Sequence, residues 1–219
     1  MLIKQANHED NSRFYNYEKH KHLFEAGKKG EKDAAYHINF TLGESQNWAV
    51  IHGLRLEYQG KTAQIDHLII NRFLEFYVLE TKHSTAPWLI NEMGEFFRCD
   101  RELKPIQAMA SPIEQNRKHI AILDKMIHSL DMPKRLGIVL KPTYHSFILV
   151  SSCEIIQRPK SFDTSNVVKT DAFVTAMLEK CNASGFLQDA IALSKVISSK
   201  TLQSVAEQIV AMGNRQVIY

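Results

Sequence analysis

The sequence predicts an α/β fold, a β-sheet sandwiched by helices. Three observations carry that prediction. An amphipathic helical stretch from about Gly30 to Leu42 precedes three closely spaced strand-like runs between residues 48 and 81. A well-signed helix begins after Ser111, and two short apolar runs, 136–140 and 146–152, follow it. From Asp171 onwards the pattern is helical, with breaks near Gly185 and Ser198.

In the first helix, Glu31, Ala34, Ala35, Ile38 and Leu42 recur at the spacing of one helical face, so Glu31 is expected to point towards whatever that face packs against. WAVIHGLRLEY (48–58) reads as a strand, Gln59-Gly60-Lys61 as a hairpin turn, and residues 62–70 and 73–81 as two more strands. Their short connections make them antiparallel neighbours. Lys104 to Ala110 reads as a loop. Ser111-Pro112-Ile113-Glu114 then combines an N-cap serine, proline at the first helical position and glutamate three residues after the cap. That helix ends before Pro133. The apolar runs 136–140 and 146–152, separated by a Lys-Pro-Thr-Tyr turn, read as strands buried on both faces.

Residues 1–26 read as an N-terminal extension, 27–168 as the core, and 169–219 as a helical segment packed on or extending it. A chain of 219 residues with 44% hydrophobic and 23% charged residues is that of an ordinary globular protein. A net charge of +3 is compatible with contact to phosphate backbones without requiring it. Three widely spaced cysteines, Cys99, Cys153 and Cys181, give neither a disulfide framework nor a zinc ribbon, and are expected to be reduced and mostly buried. The polar N-terminal stretch lacks the apolar region of a signal peptide, and no run approaches the roughly 18 apolar residues of a membrane helix. The expectation is a cytoplasmic protein without a membrane partner.

The informative chemistry lies in AQIDHLIINRFLEFYVLETKHS (63–84). Asp66 interrupts an apolar strand, and Glu80 ends the next one with Lys82 two positions on. Residues i and i+2 of a strand share a face, so Glu80 and Lys82 point the same way, and Asp66 can lie beside Glu80 if the strands pair. Two adjacent carboxylates repel unless a cation sits between them, and a hard divalent ion such as magnesium is the ordinary solution. A neighbouring lysine could position a water or stabilise developing negative charge. An isolated E-x-K is more often a solvated strand end; the aspartate within an apolar strand strengthens the metal reading.

Gly30-Glu31, Gln64-Ile65-Asp66-His67, Glu80-Thr81-Lys82 and Ser111-Pro112-Ile113-Glu114-Gln115 occur in the order and rough spacing of the nuclease-related domain (NERD) family, which this chain resembles over about residues 27–150. That family is a branch of the PD-(D/E)xK nuclease-like superfamily. The resemblance implies a restriction-endonuclease-like mixed sheet flanked by helices, with a helical C-terminal tail. It implies Asp66 and Glu80 as ligands of Mg²⁺ or Mn²⁺, the Thr81 carbonyl as an extra ligand, and Glu31 completing or orienting the metal shell. Lys82 would be the catalytic lysine and Gln115 the polar residue sent to the site by the second motif helix. Ser111 stands where the family usually has asparagine, and the glycine-containing turn common after the lysine is missing.

The expected function is a metal-dependent nuclease acting on nucleic acid, DNA rather than RNA. The alternative is a non-catalytic nuclease-fold module for nucleic-acid binding or protein assembly. A homodimer through the C-terminal helices is a further expectation. His67 and His83 flank the proposed site, but alternation turns each away from its acidic or basic neighbour. Lys28, Lys29, Lys32, Arg117, Lys118, Lys125, Lys134 and Arg135 would serve phosphates if they rim the same cleft. Trp88, Phe96 and Phe97 read as core or edge-packing residues. No P-loop, G-x-G-x-x-G or G-x-S-x-G is present.

Overall fold

A computed structural model describes residues 25, 27–84, 86–182 and 196–213. Except for residue 25, the expected 1–26 extension lies outside these residues, as does the break near Gly185. Helix α1 runs over 27–42 and buries Ala34, Ile38 and Leu42 on one stripe. Strand β1 (Trp48–Tyr58) turns at Gln59 and Gly60, both at positive φ (49° and 73°), into the antiparallel β2 (Lys61–Asn71). Two positive-φ residues are what a type I′ hairpin turn needs, and Lys61 already belongs to the strand.

β2 leads to β3 (Glu75–Lys82) through a turn built by Asn71, whose Oδ1 accepts from the Phe73 and Glu75 amides at 3.0 Å each. The pairing is antiparallel, as the short connections predicted. Partway along β1, Gly53 adopts φ 64°, beside the point where Asp66 stands on β2. The inward-facing pattern changes phase there: Ile51 and Leu54 on β1, and Ile65 and Leu68 on β2, all enter one core cluster. The run Leu68–Ile70 is continuously apolar because both faces are covered there, Leu68 and Ile70 entering that cluster and Ile69 the one on the opposite face.

Three strands follow that the sequence did not announce as a unit: β4 (Trp88–Ile90), β5 (Phe96–Cys99) and β6 (Pro105–Met109). With β10 (Ile156–Gln157) they form a second sheet in the order β10-β4-β5-β6. The expectation of a loop over Lys104–Ala110 is thus corrected: β6 pairs with β5. It is an exposed edge that opens on a proline and alternates no hydrophobic face, so no period-2 signal betrays it. Trp88 and Phe96 are buried beneath this sheet against Ile148 and Val150.

Helix α2 (Pro112–Ile127) is capped as predicted, with Ser111 Oγ accepting from the Glu114 amide at 3.3 Å. The run 136–140 is not buried. β7 (Lys134–Arg135) and β8 (Ile138–Val139) form a small hairpin turning at Leu136 and Gly137, and Leu136 is 98% exposed. Positive φ at both turn residues splits what read as one apolar strand. β9 (Thr143–Val150) starts earlier than expected, taking in the supposed turn residues Thr143 and Tyr144, because it pairs along the whole of β3. It runs parallel to β3, with α2 in the crossover. β11 (Val167–Lys169) lies parallel to β9, and the central sheet is ordered β1-β2-β3-β9-β11.

A short 3₁₀ turn (Thr170–Ala172), α3 (Phe173–Asn182) and α4 (Ser199–Met212) complete the described chain. One face of the central sheet packs on α2 and α4, which contribute Ile122, Leu123, Leu202, Val205 and Ile209. The other face packs on α1 and α3 through Ile38, Leu42, Phe173 and Met177. The apolar side of α4 is therefore spent within the chain. This is the mixed sheet flanked by helices, with a C-terminal helix, that a restriction-endonuclease-like fold has. Of the cysteines described, Cys99 is buried as expected and Cys153 is exposed, because it sits in the turn after β9. Among the described residues no helix is long and apolar enough to cross a membrane.

Candidate active site

The site lies at the C-terminal ends of the parallel pair β3 and β9. Strand pairing between β2 and β3 stops at His67↔Leu79. Where the ladder would continue, the Asp66 carboxylate instead accepts the Thr81 amide, Oδ2 lying 2.7 Å from the nitrogen. A side chain that replaces a backbone rung is held at the sheet rim, half-buried, beside Glu80. Glu80 is 2% exposed and Lys82 partly exposed. Lys82 Nζ donates to Glu80 Oε1 at 2.5 Å, so the i, i+2 geometry read from the sequence brings these two together.

Gln115 arrives from α2. Its Nε2 donates to Glu80 Oε1 at 2.7 Å and its Oε1 accepts from Lys82 at 3.1 Å. Its neighbour Asn116, fully buried, donates to the Val78 carbonyl at 2.7 Å and Ser146 Oγ at 2.9 Å, pinning the helix across β3 and β9. His119, one turn further along, brings Nδ1 to 3.5 Å from Glu80 Oε2. Sequence reading missed both. The i, i+4 spacing of Gln115 and His119 was the available signal for the histidine.

Glu31 is exposed at the start of α1 rather than buried on its apolar face. It still acts on the site, since its charge raises the pKa of both Asp66 and Glu80. Gly30 explains how α1 comes so near: a Cβ there would lie 2.8 Å from His83 Cβ. Gly30→Ala is expected to push α1 from the strand end, costing about 1–3 kcal/mol in urea unfolding through overpacking. An unchanged unfolding midpoint would show that the contact yields without strain.

Electrostatics mark the cluster as short of positive charge. Burial raises the Asp66 pKa to about 8, and Glu80 and Glu31 add to it against the Thr81 amide and Lys82. Burial likewise raises Glu80, opposed first by Lys82. Glu80 Oε2 is buried without a hydrogen-bond partner. Among the described residues no three His, Cys, Asp or Glu side chains meet closely enough to make a cation site by themselves. Even so, a close carboxylate pair with an unpartnered oxygen suits a hard divalent cation.

The flanking histidines do face away. His67 Nδ1 lies 2.7 Å from His52 Nδ1, with His52 Nε2 3.1 Å from Asn39 Oδ1 on α1. Burial pushes this pair down to about 3 for His67, aided by His52, and about 4 for His52, so both rings are neutral at pH 7. His83 turns towards Glu154, 3.5 Å away.

The sequence model described as "Nuclease-related domain" (NERD) matches residues 26–151. No curated protein matches the chain. A crystal structure titled as a protein of unknown function, AF1548, shows 12% identity and a TM-score of 0.32, covering 81% of this chain and 95% of its own. The family match takes in more than half of the 219 residues, including α1, β2, β3 and α2, which between them supply every side chain of the cluster. This chain belongs to the nuclease-related domain family, within the PD-(D/E)xK nuclease-like superfamily.

Proposed function

We propose that this protein is a divalent-metal-dependent nuclease that hydrolyses phosphodiester bonds, with DNA its substrate before RNA. The observation that carries the reading is the convergence of Asp66, Glu80, Lys82 and Gln115 on one rim, with a buried carboxylate oxygen left unpartnered. Asp66 and Glu80 would hold Mg²⁺ or Mn²⁺, with the Thr81 carbonyl and Glu31 as further oxygen donors. A bound ion of this kind supplies a water of lowered pKa and positive charge next to the scissile phosphate.

The chain's own groups do the rest. Lys82 keeps its ammonium between Glu80 and Gln115, where it stabilises negative charge on the phosphate oxygens as water adds, the P–O bond breaks and the leaving oxygen takes up a proton. The Gln115 amide fixes the Glu80 rotamer. Lys28, Lys29 and Lys32 are exposed on the helix that carries Glu31, which suits a phosphate backbone entering over that rim.

The rival is a non-catalytic module that binds nucleic acid or assembles with protein. The Lys82–Glu80 ion pair favours it, since a lysine so engaged neutralises one carboxylate without a cation. Incubating the chain with single-stranded DNA, duplex DNA and RNA in Mg²⁺, Mn²⁺ or EDTA separates the two. Cutting with either metal and none in EDTA is the expected result. A folded protein that cuts no substrate with either ion would sink the nuclease reading and favour the module.

A further inference from the structure

The two oxygens of Glu80 are held unequally. Oε1 accepts from both Lys82 Nζ at 2.5 Å and Gln115 Nε2 at 2.7 Å. Oε2 has no hydrogen-bond partner and no contact with solvent. Across from it, 3.5 Å away, stands His119 Nδ1, on a side chain 10% exposed, and that nitrogen is likewise buried without a partner. Leaving two such atoms unsatisfied in a dry interior is costly, and here each is the complement of the other. A neutral imidazole carries one N–H; on Nδ1 it points a donor at an acceptor, whereas on Nε2 it would set two lone pairs against each other.

The helix is built to hold this distance. Gln115 and His119 stand one turn apart on α2, and Asn116 fixes that face of the helix to Val78 and Ser146 on the strands beneath. A carboxylate oxygen offers two lone pairs. One bond from His119 to Oε2 leaves that oxygen's second lone pair for a cation, while Oε1 is already occupied twice.

We infer that His119 is a positioning residue of this site: its Nδ1–H donates to Glu80 Oε2 and aims that oxygen at the divalent cation. The inference rests on the reading of Glu80 as a metal ligand. Groups that hydrogen-bond a metal's ligands set its affinity, and their loss typically costs roughly tenfold to a hundredfold.

The test is calorimetric titration of Mn²⁺ into the full chain, with no substrate, for wild type, His119→Ala, His119→Asn and His119→Gln. The asparagine amide nitrogen reproduces the position of Nδ1, and the glutamine amide that of Nε2. Mn²⁺ affinity should fall roughly tenfold to a hundredfold in the alanine variant, recover in the asparagine variant and stay low with glutamine. Thermal unfolding of each variant, read in parallel, tracks the fold. Unchanged affinity in the alanine variant overturns the inference while leaving Glu80 a ligand, as does rescue by glutamine equal to that by asparagine. Affinity that merely follows the loss of thermal stability across all three variants overturns it too. Absence of Mn²⁺ binding in the wild type brings down the metal-ligand reading itself.

Discussion

Lys82→Ala is expected to slow metal-dependent cleavage by roughly 10²–10³-fold, the usual loss when one group that stabilises transition-state charge is removed. Lys82 donates to Glu80 and Gln115, so its charge is held by two fixed partners rather than by a mobile chain in water. The fold should survive. The backbone of residue 82 stays paired with Val150 on β9, and the side chain belongs to none of the apolar clusters. Single-turnover cleavage at saturating Mg²⁺, with thermal unfolding alongside, reads both effects. A variant that cuts at the wild-type rate would remove Lys82 from the site.

Asp66→Asn should do the opposite to stability. Burial, and then the Glu80 and Glu31 charges, raise the Asp66 pKa from 3.8 to about 8 in the folded chain. Between those values the folded state keeps a proton that the unfolded state has released. Metal-free stability therefore falls as pH rises from about 4 to about 8, and levels off above. Asparagine can still accept the Thr81 amide but carries no charge to desolvate. The variant should lose cleavage yet melt higher than wild type at pH 9, by about 2–4 °C for each kcal/mol recovered. Mg²⁺ should close the gap by stabilising wild type alone. A melting temperature in wild type that is flat from pH 5 to 9 would show that the Asp66 carboxylate is not strained by its surroundings.

Much of the site was legible because strand geometry is short-range. The i, i+2 rule joins Glu80 to Lys82, and the three-residue connection after β2 leaves Asp66 little choice but to end beside Glu80. Gln115 was legible through the family motif. His119 was signalled only by its i, i+4 spacing from Gln115, and Asn116 not at all, since the rotation of α2 about its axis depends on how the β3–α2–β9 crossover docks. The same limit hid the second sheet. β6 is exposed and held by hydrogen bonds to β5, and backbone pairing leaves no mark on residue type. Glu31 misled in a different way: helical spacing put it on the buried stripe, but that stripe runs through Gly30, Ala34, Ile38 and Leu42, and Glu31 stands one residue off it, exposed at the rim.

The sequence by itself determined the amphipathic helices, the antiparallel β1–β2–β3 order and the pairing of Glu80 with Lys82, since each follows from local periodicity and short loops. Only the tertiary structure decided that β9 lies parallel to β3, that α2 presents Gln115 and His119 to Glu80, and that 136–140 is an exposed hairpin rather than core. Those outcomes turn on contacts between segments far apart in the chain. Whether an apolar run is buried or a polar side chain is partnered is settled by what packs against it, and residue type alone does not say which neighbour arrives.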